Sequence, residues 1–66
     1  MEKERKSIIG VPGTARTDIQ PRGEAFIRGE TWQVRSYNNE QIRKGDRIQV
    51  VDIKNLLLIV SKTQKR

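Results

Sequence analysis

The sequence contains neither cysteine nor histidine. Disulfide staples and cysteine nucleophiles are therefore excluded, as are the usual zinc geometries and the commonest general base. No bound cofactor and no metal site is expected. Aromatics are scarce: one phenylalanine, one tryptophan and one tyrosine. The longest unbroken apolar run is Leu56 to Val60, far short of the about 20 residues of a membrane-spanning helix. The opening Met-Glu-Lys-Glu-Arg-Lys has no apolar stretch behind it, so no secretory signal is expected there.

What remains is small and rich in β-branched residues. A chain of 66 residues makes one domain, and at that size folding buries only about 60% of the surface exposed by the unfolded chain. Apolar residues are 33% of the sequence, and isoleucine and valine, which suit strands, predominate among them.

The formal net charge is +6, which raises a nucleic-acid reading, so its location matters. In residues 1–7, Lys3, Arg5 and Lys6 face Glu2 and Glu4, a net +1. Residues 61–66 add Lys62, Lys65 and Arg66, a further +3, which leaves +2 for the body 8–60. Most of the excess sits at the ends. The expected organisation is a charged linker over 1–10, a folded domain over 11–61 and a basic mobile tail over 62–66.

Five segments alternate with the period of a strand, and none sustains a helical period. Ile8, Ile9 and Val11 precede Pro12-Gly13, a type II turn signal. In 14–19, Ala15, Thr17 and Ile19 share a face. Gln20 to Gly23 makes a corner around Pro21, which cannot donate to a ladder. In 24–28, Ala25 and Ile27 point inward and Phe26 outward. Gly29 turns the chain back into 31–37, with Trp32 and Val34 on the core face and Ser36 as an inward or rim hydroxyl. Asn38 to Gln41 is a polar loop, anchored inward by Ile42. In 47–53, Ile48 and Val50 face the core, and the doubled Val50-Val51 predicts a bulge. Lys54-Asn55 is the next turn, and 56–62 the last strand.

Five short strands with glycine-marked corners predict an all-β fold, a small closed five-stranded OB-like barrel, since closure removes sheet edges. An SH3-like barrel is the alternative, because strand count alone does not separate the two.

Nothing in the pattern makes an active site. Ser7, Ser36 and Ser61 lack an activating neighbour, and Asp18, Asp46 and Asp52 stand isolated near turns, where capping or solvated roles are expected. Trp32 falls on the core face, which leaves Phe26 as the one outward aromatic that could stack a base. The last strand is unusual. Leu56, Leu58 and Val60 alternate as core residues, yet Leu57 and Ile59 between them are also apolar, where a half-buried strand puts polar groups. Phe26, Leu57 and Ile59 are thus the candidate partner-binding residues. Two readings stay open: Ile8, Ile9 and Val11 fold back over this surface, or it is a contact patch for a protein partner or for a second copy.

Gly13-Thr-Ala-Arg-Thr-Asp-Ile-Gln-Pro-Arg-Gly23, followed by Ala25-x-Ile27-x-Gly29-Glu30-x-Trp32-x-Val34, closely resembles the C-terminal soluble domain of the NfeD family. Ile42-Arg-Lys-Gly45-Asp-x-Ile48-x-Val50-Val51 and Leu58-x-Val60 fit the same pattern. Asn55 stands where that family usually turns on glycine. The resemblance implies an OB-fold domain carried by a membrane protein, with transmembrane helices, and in some relatives a serine-protease domain, in segments that this chain does not contain. It implies a non-enzymatic interaction module on the cytoplasmic face, with stomatin-, prohibitin- or flotillin-type scaffolds as partners or a membrane protease under its regulation. None of that family's catalytic residues carries over. A nucleic-acid-binding OB domain, motivated by the pI near 10.3, is the rival reading.

Overall fold

The computed structural model describes residues 8–63. Residues 1–7 of the expected charged linker over 1–10, and residues 64–66 of the expected tail, lie outside them. Within the described residues, five strands close a barrel: β1 (Pro12–Ala15), β2 (Arg22–Ile27), β3 (Glu30–Ser36), β4 (Arg47–Lys54) and β5 (Leu57–Lys62). A short 3-10 turn, Tyr37–Asn39, follows β3. The order around the barrel is β1-β2-β3-β5-β4, with β1 paired to both β2 and β4. All neighbours are antiparallel except β3 and β5, which run parallel through Val34↔Leu58, Arg35↔Ile59 and Ser36↔Val60. This is the expected small closed five-stranded, OB-like barrel, and its closure leaves no long free edge.

The interior is filled by one residue in two from each strand. Ala15, Ala25, Ile27, Val34, Ile48, Val50, Leu58 and Val60 are all buried, together with Ile19 and Ile42 from the loops. Trp32 and Ile53 pack partly buried against this core. Alternation of this kind is what a closed sheet imposes, because successive side chains point to opposite faces. Ser36 also faces inward and is buried, as its phase with Val34 predicts.

Four local expectations are corrected. The first turn is not at Pro12-Gly13 but at Ile8–Gly10, where the Val11 N–H donates to the Ile8 carbonyl and Gly10 takes a φ of 95°. Proline can open a strand because its missing donor costs nothing there, so Pro12 begins β1. Ile8 joins the core and Gly10 donates to the Val50 carbonyl, so residues 8–10 fold with the barrel rather than with the linker. Lys62, expected in the tail, is the last residue of β5.

Secondly, β1 ends at Ala15 rather than reaching Ile19. The N–H groups of Arg16 and Thr17 both address the Glu24 carbonyl, two residues opposing one, which bends the strand as a bulge does. Thr17 is thereby turned out of the core, while Ile19 re-enters it and bridges Ile42. Thirdly, the β2–β3 loop is Arg28-Gly29, with positive φ at both positions, the requirement of a type I′ hairpin. Arg28 therefore belongs to the turn and not to a strand. Fourthly, the last hairpin turns on Asn55-Leu56, since Lys54 pairs with Leu57. Leu56 is consequently 74% exposed instead of lying in the core. The expected bulge is present: the β4–β5 register shifts between Val50 and Asp52 and leaves Val51 exposed.

Candidate functional site

The strip from Gly13 to Gly23 is scaffold. Thr17 Oγ1 accepts the Glu24 N–H at 3.1 Å and donates to the Asp18 carbonyl at 2.8 Å. The Asp18 carboxylate accepts the Lys44 N–H at 2.9 Å, and Ala15 exchanges backbone bonds with Asp46 and Gly45. The Pro21 carbonyl accepts the Ser36 N–H, and the Gln20–Pro21 peptide is cis. The side chains of Thr17 and Asp18 thus tie the β1–β2 corner to neighbouring segments.

Three other carboxylates are also engaged by backbone donors. Asp46 accepts from the Arg43 N–H, Asp52 from the Ile53 N–H, and Glu40 from both Ser61 Oγ and the Lys62 N–H. Among the described residues there is no group of three acidic or other ligating side chains placed to hold a metal ion.

The outward face of β2, β3, β5 and β4 is different. Pairing places Arg22 opposite Arg35, Arg35 beside Ile59, and Ile59 beside Asp52. These four side chains form one row across four strands, all on the side away from the core. The adjacent row contains Glu24 opposite Gln33, joined by a 3.1 Å hydrogen bond, and Leu57 opposite Lys54. Leu57 and Ile59 are half-buried, two residues apart on one strand face. They form an apolar centre with charged and polar groups around it.

Beside Ile59 the surface dips into an open groove of about 630 Å³. One wall is the 3-10 turn, with Tyr37, Asn38 and Asn39; the other is the β4 bulge, with Val51 and Asp52. The two asparagines adopt left-handed φ values, 59° and 55°, which asparagine tolerates better than most residues. That conformation turns the chain off β3 and leaves Tyr37 56% exposed beside the groove. Ser36 borders it too, with an Oγ that has no hydrogen-bond partner.

Of the three residues singled out from the sequence, the structure brings together Leu57 and Ile59 but not Phe26. Phe26 does point outward, 43% exposed. It lies on β2, however, opposite Thr31, with all of β3 between it and β5. The Arg16 guanidinium sits 5.8 Å from its ring centroid, a cation–π distance. Conversely, the sequence did not single out Arg35, Tyr37, Val51 or Lys54. Val51 was recoverable from the doubled valine, but the Arg22–Arg35 pairing needs the register, which no local pattern supplies.

A closed five-stranded all-β barrel with an apolar-centred outer groove defines a small OB-like domain. The chain belongs to the NfeD family: residues 5–62 match its NfeD-like C-terminal, partner-binding domain. It is 39% identical over 61 residues to a membrane-bound protease of Pyrococcus horikoshii, covering 92% of this chain but only 14% of that protein. The barrel superposes with a TM-score of 0.85, at 40% identity, on the C-terminal domain of a stomatin operon partner protein from Pyrococcus horikoshii, over 91% of this chain and 94% of that one. The soluble domain of an NfeD protein from Bacillus subtilis gives a TM-score of 0.82 at 27% identity, over 97% of this chain and 83% of that one. Among the described residues no helix is long and apolar enough to cross a membrane.

Proposed function

We propose that this domain is a non-catalytic docking module of a longer NfeD-type membrane protein, facing the cytoplasm, and that it binds a protein partner through Leu57 and Ile59. The observation that carries this is the pair itself: two apolar side chains on the outward face of β5, beside an open groove, while the core is complete without them. An apolar centre ringed by polar groups is the usual anatomy of a binding surface. The family's description as partner-binding supports the same reading. A relative described as a stomatin operon partner, and another described as a membrane-bound protease, make a stomatin-type scaffold the first candidate and regulation of a membrane protease the second. Prohibitin- and flotillin-type scaffolds, implied by the same family resemblance, belong to the same set of candidates. Phe26, set apart on β2 and covered on one side by Arg16, is assigned a secondary place.

Substitution separates docking from stability. Leu57→Ser and Ile59→Thr should shift Tm by no more than a few degrees, because neither side chain is part of the buried core. Both should weaken capture of a purified stomatin-type soluble domain by about tenfold or more, the scale of losing a buried contact of about 1.5–3 kcal/mol. Unchanged capture by both variants would overturn the reading.

A further inference from the structure

Arg22 and Arg35 are directly opposed on neighbouring strands, with both side chains on the outer face. Like charges in that position destabilise a sheet, and a folded domain gains nothing from them internally. Among the described residues neither arginine has a carboxylate within 4.0 Å; the ion pair recorded there is Lys62 with Asp46. The repulsion is therefore left uncompensated at the edge of the groove. Arg35 lines that groove together with Lys54 and Asp52, and Ile59 lies between Arg35 and Asp52 as an apolar floor. A cation beside an apolar floor, with a second cation against one carboxylate in the lining, is complementary to a segment that carries a carboxylate and an apolar side chain two residues apart on one face.

Resting on the docking reading above, we infer that the segment taken by this groove is an acidic–apolar stretch of the partner protein in extended conformation. The Arg35 guanidinium, reinforced by Arg22, donates to one of its carboxylates, and Ile59 seats the apolar side chain two residues along, on the same face of the segment. Guanidinium binds carboxylate through two parallel hydrogen bonds, and the field of a second arginine beside it deepens the attraction. A nucleic-acid strand fits less well. Asp52 closes the same row and Glu24 the next, so a continuous run of phosphates would meet two fixed negative charges, whereas the proposed segment sets its apolar residue, not a second carboxylate, beside Asp52. The exposed aromatic at the groove is Tyr37 alone, too little for successive base stacking.

The 66-residue chain suffices for the test. Fluorescence anisotropy would compare three labelled extended peptides of equal length, with Ser at every second position and, on the other face, Leu alternating with Glu, with Lys or with Gln. The acidic peptide should bind, the basic one should not, and the Gln peptide should be intermediate. Arg35→Glu should weaken the acidic peptide by roughly 10- to 100-fold, the worth of a charge-assisted hydrogen bond, and Arg35→Gln by less. Amide NMR shifts on binding should map to β3, the 3-10 turn and the β4 bulge. Tm of both variants should equal or exceed that of the wild type, because a like-charge pair has been removed. Failure of the acidic peptide to bind, equal binding of the basic one, or indifference to Arg35→Glu overturns the inference. Tighter binding of an oligonucleotide or an anionic phosphatidylglycerol vesicle, with the same sensitivity to Arg35→Glu, overturns it as well. If capture of the stomatin-type domain is lost in Ile59→Thr yet survives Arg35→Glu, the docking reading stands and the acidic-segment inference falls. If capture survives Ile59→Thr and Leu57→Ser, the docking reading itself falls.

Discussion

Gly23 and Gly29 look equivalent in sequence and are not. A Cβ on Gly23 would run into the Asp18 carbonyl oxygen and would stand 2.7 Å from Thr17 Oγ1 and 2.8 Å from Ile19 Cγ1. The carbonyl belongs to the corner that positions β2 and cannot give way. A Cβ on Gly29 would meet nothing within 4 Å, and the obstacle there is only its φ of 79°. Gly29→Ala should therefore cost about 1 kcal/mol, the backbone strain of a left-handed residue. Gly23→Ala should cost more, about 2–3 kcal/mol, as overpacking against fixed backbone does. Urea titrations of the two variants check the order; equal midpoints would mean that the corner yields. Gly13 behaves like Gly23, since its Cβ would lie 2.6 Å from the Phe26 carbonyl oxygen. Sequence reading marked Gly13 as a residue with a backbone role but gave the wrong reason. A turn signal is local, whereas the approach of β2 to β1 is a tertiary fact.

At the scale of the element, legibility followed the source of each strand's phase. β2, β3 and β5 could be read because Ala25/Ile27, Trp32/Val34 and Leu58/Val60 alternate with outward residues over several positions. β1 could not, because its end is set by Thr17 and Glu24 across a corner, and alternation continues in the sequence after the strand has stopped. The same limit applies to the candidate site. Leu57 and Ile59 were visible as apolar residues in polar phase, but the groove and the arginine pair arise only once β3 lies beside β5. The β2–β3 hairpin offers a sharper test of local reasoning. Arg28 occupies a type I′ position at φ 53°, where asparagine followed by glycine is the preferred pair. Arg28→Asn should stabilise the protein by about 0.5–1 kcal/mol, part of the left-handed strain of an ordinary residue, and raise Tm in a calorimetric scan. A lower Tm would show that the arginine side chain contributes something that the turn geometry does not reveal.

For the molecule as a whole, Ile8 is part of the barrel's core. It is 5% exposed and packs in the same core as Val50, whose carbonyl accepts the Gly10 N–H at 2.7 Å. A chain beginning at residue 12 should lose the burial of one large aliphatic side chain, about 1.5–3 kcal/mol. A chain beginning at residue 8 should be as stable as the full sequence. Chemical denaturation of the two truncations measures this. Equal stability of the shorter form would mean that the Ile8–Gly10 turn is an accessory to the barrel and not a part of it. The sequence showed that Ile8, Ile9 and Val11 needed somewhere to go; their destination, along β4, depended on a closed barrel already having an open end for them.

The parallel seam between β3 and β5 has a kinetic consequence. Each hairpin, β2–β3 and β4–β5, joins segments that are neighbours in the chain, and such contacts form in about 1–10 μs. The seams that close the barrel, Val34 with Leu58 and Gly13 with Ile48, join segments far apart in sequence, and neither can form until long stretches of chain have been brought together. The search for those two registers, not the making of either hairpin, should set the rate at which the domain reaches its native state. That places it among the β barrels that fold in milliseconds to seconds rather than among the microsecond folders of similar length. The outer row of Arg22, Arg35, Ile59 and Asp52 crosses the β3–β5 seam, so neither hairpin carries the groove by itself, and the surface exists only once those two registers have met.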